Sequence, residues 1–169
     1  CDFSGTPYAS SSLEDIKVYL TNVSASCPII CHEKPVPVRI INSGMLNNGD
    51  MDKFRNSDII YQTIEEDIFK NTIYPDINLL CYPNSPTEES PGSPFTRLVI
   101  EGKIESETYY WPLNIGADLD MERGCRYVYD ILIRRKGVSS PDIPIDLSNN
   151  DINITIKPWI EKDSYTVGF

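Results

Sequence analysis

Two cysteines and a histidine stand close together in Cys27-Pro28-Ile29-Ile30-Cys31-His32, the tightest grouping of soft metal ligands in the chain. A zinc site needs four such donors, normally as two pairs at similar spacing. Here Cys81 and Cys125 stand apart from each other, Cys1 opens the chain, and His32 is the only histidine. The apolar Pro-Ile-Ile between the two cysteines suits an extended segment. The cysteines therefore read as buried thiols, or at most one disulfide, with neither metal nor cofactor.

Carboxylates come next. Glu101 and Glu105 share a side of one predicted strand, and a pair of carboxylates across a cleft is how glycosidases divide acid and base roles. They alternate with Leu98, Ile100 and Ile104, so they read as the solvated face of that strand. Asp50, Asp52 and Asp58, near Asn47 and Asn48, offer oxygen ligands for calcium. Their glycine precedes the acids instead of following them, against the EF-hand order, so a polar turn is the reading. No G-x-S-x-G, G-x-x-x-x-G-K-[ST] or G-x-G-x-x-G stretch occurs. The sequence identifies no catalytic residue, and the chain is read as a non-enzyme.

Tyr109, Tyr110 and Trp111 are candidates for stacking on a sugar. In a strand they alternate, which leaves Tyr109 and Trp111 on one face for the core and Tyr110 on the other. The two N-x-[ST] matches, at Asn22 and Asn153, both fall in predicted strands.

The chain of 169 residues is long enough to bury a core without disulfides or metals. Its 25 acidic against 15 basic residues give a formal charge of -10. Binding to phosphates needs clustered Lys and Arg, and Arg134-Arg135-Lys136, the one basic run, reads as a solvated strand end. Nucleic acid and anionic membrane surfaces are poor partners for such a chain. No apolar stretch approaches the length of a spanning helix.

The elements that would position these residues have a period of two. "IKVYLTNV" puts Ile16, Val18 and Leu20 on one face. "PVPVRIIN" reads as an edge strand because of its prolines, and "INLLCYP" as a strand apolar on both faces. "NSPTEESPGSP" is a loop. "FTRLVIEGKI" and "TYYWPLNI" form a hairpin across "ESE". "CRYVYDILIRR" is apolar on both faces and is expected at the centre of a sheet, and "DINITIKPW" alternates Ile152, Ile154 and Ile156 with polar residues. One helix is expected in "NSDIIYQTIEEDIFKN", from Ile60, Ile64 and Ile68 at four-residue spacing. The fold class is all-β, a sandwich of about seven to eight strands with one short helix.

Three stretches carry a resemblance: "LEDIKVYLTNV", "SPFTRLVIEGKI" with "TYYWPLNI", and "CRYVYDILIRRKGVSSPDIPID" leading to "ITIKPW". From about Leu13 to Trp159 the chain resembles the C-terminal half of the fimbrillin family, the type V pilins of the Bacteroidales. The resemblance implies a transthyretin-like Greek-key β-sandwich. It also implies a lipoprotein precursor exported through the outer membrane to a cell-surface fimbria. Its partners would be other pilin subunits, joined head to tail by strand addition. Family members usually carry two sandwiches, so residues 1–169 are expected to be one domain, the C-terminal one of a larger pilin. Cys1 is then either a lipidation site or the start of a fragment.

The last residues, "PWIEKDSYTVGF", place Tyr165, Val167 and Phe169 on one side of an extended segment. Together with Trp159 and Ile160 they are the expected assembly strand. A second reading is a surface adhesin, at a pilus tip, that binds a host glycan or protein receptor through exposed aromatics.

Overall fold

The computed structural model describes residues 1–23, 60–74, 77–82, 96–115, 124–143, 145 and 151–158. These residues contain six strands: β1 (Glu14–Thr21), β2 (Tyr61–Ile64), β3 (Thr96–Ile104), β4 (Glu107–Ile115), β5 (Cys125–Leu132) and β6 (Asp151–Pro158). Four make an antiparallel sheet in the order β2-β1-β3-β4, and β5 and β6 pair as an antiparallel ribbon. The described chain is all-β and antiparallel, with no helix.

Alternation drives the assembly of the larger sheet. Ile16, Val18 and Leu20 of β1, Leu98, Ile100 and Ile104 of β3, and Trp111, Leu113 and Ile115 of β4 all enter one buried apolar cluster. Tyr109 packs against it. Each buried side chain of this size contributes roughly 1.5–3 kcal/mol relative to exposure, so a slip by one residue, which would turn this whole set to the other face, is strongly disfavoured. The cross-strand pair Ile100↔Trp111 lies within the set, and the Trp111 indole N–H donates to the Arg135 carbonyl at 3.1 Å.

The β3–β4 hairpin closes through a two-residue turn, tighter than the three residues of "ESE", because Glu107 already pairs with Ile104. Glu105 and Ser106 sit at φ 52° and 71°, the left-handed pattern whose twist matches that of the flanking strands. Pro112 lacks an N–H and so falls on β4, the outer strand of the described sheet.

Tyr129 and Ile131 of β5 pack against the same cluster, and Ile133 just beyond is buried in it. In the ladder with β6, Ile131, Tyr129 and Tyr127 stand opposite Ile152, Ile154 and Ile156. The expected central position of β5 is not met among the described residues, where β6 is its ladder partner. Its apolar run reflects a face turned to the core and a half-buried opposite face, with Val128 and Leu132 partly covered.

The N-terminal segment is part of this core. Phe3 is 1% exposed, the Asp2 amide donates to the Ile133 carbonyl, and the Cys1 thiol donates to the Ile68 carbonyl.

Two sequence expectations need correction. Tyr61–Ile64, within the expected helix, is strand β2, and Ile68 pairs with Leu13 in an isolated antiparallel bridge. Four-residue spacing fits one face of a strand as well as one face of a helix. Ile60 and Ile64 lie in the core while Tyr61 lies on the other face. The second correction concerns "INLLCYP": Ile77–Tyr82 carries no strand ladder. Its side chains still alternate, with Ile77, Leu79 and Cys81 against the core and Leu80 and Tyr82 59% and 48% exposed. "PVPVRIIN" lies outside the described residues.

Candidate functional site

The apolar face of the sheet is filled, and the other face carries the polar chemistry. There the register sets Thr63, Lys17, Glu101 and Tyr110 side by side across β2, β1, β3 and β4. The Lys17 ammonium donates to the Glu101 carboxylate. Glu101 is 9% exposed; it is not the solvated residue its alternation with isoleucines suggested. The sequence could not reveal that this second face is covered too. Glu105, its supposed partner, sits in the hairpin turn and accepts from the Ser11 hydroxyl. The two carboxylates do not converge on a cleft, so they form no acid–base pair.

The next rank across the sheet is aromatic. Tyr19, Tyr61 and Val99 are buried together with Tyr110 packed against them, and the Tyr19 and Tyr61 rings stack at 5.9 Å. The Tyr19 hydroxyl reaches Glu101 at 3.5 Å. Burial, then the Glu101 charge, pushes the Tyr19 phenol far above its ordinary value, and the same two causes raise Tyr110. Both phenols remain neutral at physiological pH. At the far end Arg97 donates to the Asn114 side chain at 2.9 Å and to the Pro141 carbonyl at 3.1 Å, tying the 141–142 turn to the sheet.

A bulge between Glu14 and Lys17 interrupts the β1–β3 register. Asp15 adopts φ 48° there, and its carboxylate accepts from Lys103. Bulges re-aim side chains in this way. The Lys103 hydrogen bond and charge hold the Asp15 carboxyl below the usual carboxylate range. Beside this bulge a half-open cleft of about 520 Å³ lies between β1, the end of β2 and β3, reaching Thr108 of β4. Sequence reading missed the cleft, since it depends on cross-strand register and on a left-handed aspartate. The signal present was the alternating charge of Asp15, Lys17, Glu101 and Lys103.

The aromatic trio is distributed as its alternation requires. Trp111 is 4% exposed and offers no platform. Tyr109 donates to Glu107, and the Lys136 ammonium lies 5.0 Å from the ring centroids of both Tyr109 and Tyr8. Lys136 is therefore held between two rings and is not a freely solvated strand end. Asn22 is 2% exposed.

Trp159, Ile160, Tyr165, Val167 and Phe169 lie outside the described residues, as do Cys27, Cys31, His32, Asp50, Asp52 and Asp58. Cys1 and Cys81 are free thiols. Among the described residues no group of three or more His, Cys, Asp or Glu side chains is disposed to hold a metal, and no helix is long and apolar enough to cross a membrane.

No protein-family model matches the chain, and comparison with curated proteins and with solved structures gives no match.

Proposed function

We propose that this chain is a structural subunit of a cell-surface fimbria, assembled head to tail by strand addition, with no catalytic step. The observation that carries this reading is the segment Ile77–Tyr82. It alternates inward and outward side chains as a strand does, yet has no ladder partner among the described residues and leaves Leu80 and Tyr82 in water. Phe69 and Ile73, shortly before it in the chain, are 57% and 92% exposed. Large apolar side chains left in water along one stretch of chain are the kind of surface an interaction site presents. An alternating strand such as Tyr165, Val167 and Phe169 has the chemistry to cover it, with backbone hydrogen bonds supplying affinity and alternate side chains supplying register.

Two sheets that share one apolar cluster support the finer expectation of a Greek-key β-sandwich. The resemblance to fimbrillins supplies the cell-surface location and the export route as a lipoprotein precursor. On this reading residues 1–169 are the C-terminal domain of a two-domain pilin.

Removing residues 159–169 tests the reading. The truncated chain is expected to keep its β-sheet circular dichroism and cooperative unfolding, while cells expressing it lose filaments in electron micrographs. Filaments of unchanged number and length on such cells would refute the assembly role of the tail.

A further inference from the structure

We propose that the cleft beside the Asp15 bulge binds the end of a neutral glycan, a function separate from subunit assembly and independent of it. The cleft's volume, about 520 Å³, lies in the range of small-molecule sites. Most of its wall comes from paired strands and a bulge, which position side chains more firmly than a loop does; Glu65 and Asp67 join it from the segment that follows β2.

The chemistry of the lining selects the ligand class. Both ammonium groups in the cleft are already matched, Lys17 by Glu101 and Lys103 by Asp15. An anionic ligand would therefore meet no unneutralised cation. It would also meet the carboxylates of Glu65 and Asp67 in the lining. Those two side chains are exposed, so an ionised ligand is not needed to offset buried charge. What the cleft offers instead is an interleaving of acceptors, Asp15, Glu65, Asp67 and Glu101, with the donors Lys17 and Lys103. Thr63 and Thr108 add hydroxyls that both donate and accept.

A sugar diol matches that set, since each hydroxyl donates once and accepts from a neighbour. One carboxylate takes two vicinal O–H donors, and a lysine ammonium supplies the return bond. The apolar contribution of the lining is the Ile64 side chain and the methyl groups of Thr63 and Thr108, while Tyr110, next to Glu101 in the register, packs on the Tyr19–Tyr61 cluster. The site thus moves from the Tyr109–Trp111 pair, which the core consumes, to the opposite face of the sheet.

The test is an NMR titration of the isotope-labelled chain with the methyl glycosides of glucose, galactose, mannose and N-acetylglucosamine, with a sialic acid glycoside and calcium chloride as comparators. The expected result is a saturable shift of amides in 15–17, 63–67, 101–103 and 108 with at least one neutral glycoside at millimolar concentration, and none with the sialoside. Glu65→Gln and Asp67→Asn, exposed and nearly isosteric, should together weaken that response roughly tenfold while leaving the rest of the spectrum in place. The proposal is overturned if no neutral glycoside shifts these amides. It is equally overturned if the sialoside or calcium alone does so, or if the double variant binds as tightly as the parent.

Discussion

At the residue scale, the hairpin turn and the buried thiol carry the sharpest consequences. Ser106 holds φ 71°, a conformation that costs a residue with a Cβ about 1–2 kcal/mol and glycine almost nothing. Ser106→Gly should therefore stabilise the chain by about 1 kcal/mol in urea unfolding, with an unchanged dependence on denaturant; a loss of stability would contradict the assigned turn. Burial raises the Cys81 thiol from 9.0 to about 11. The folded chain then keeps a proton that the unfolded chain releases, so this contribution is fully present below pH 9 and is lost as pH rises toward about 11. Urea unfolding at pH 8, 9 and 10 is expected to show a steeper decline for the parent than for Cys81→Ala. Parallel declines would mean that the thiol is not shielded as described. Neither property was readable in the sequence, because both depend on what surrounds a residue.

The elements were more legible. Five of the six described strands stood out as alternating runs; β1, β3, β4 and β5 do so because each packs at least one face on the core, and the same parity correctly assigned Leu98, Ile100, Trp111 and Leu113. The sixth, β2, was read as helix, because Ile60, Ile64 and Ile68 satisfy both periods and only the tertiary partner β1 decides between them. Cross-strand neighbours were invisible for the same reason: Lys17 meets Glu101, 84 positions away, only once β1 and β3 are in register. Gly137 is a further case. A Cβ there would lie 2.2 Å from the Tyr110 carbonyl oxygen, so glycine is what allows the 136–138 segment to approach β4 and form the Tyr110↔Val138 bridge. Gly137→Ala should push that segment away and speed hydrogen exchange at the Tyr110 and Val138 amides, which donate to each other's carbonyls. Protection equal to the parent's would show that the approach is not obligatory.

At the scale of the molecule, one sheet uses its two faces for different purposes. One face closes a core shared with β5 and with Phe3 of the N-terminal segment. The other buries Tyr19, Tyr61 and Val99 in a second cluster and carries the Lys17–Glu101 pair at the edge of a cleft. The proposed fimbrial role rests on neither face. It rests on the exposed apolar side chains between Phe69 and Tyr82, and on a tail that alternates Tyr165, Val167 and Phe169. The most direct test installs a photo-activatable phenylalanine at Tyr82 and irradiates cells carrying assembled subunits. The expected product is a ladder of cross-linked subunits whose joined peptides pair position 82 of one copy with residues 159–169 of another. Cross-links confined to a single copy, or inter-subunit cross-links that never include residues 159–169, would contradict assembly by tail donation onto this surface.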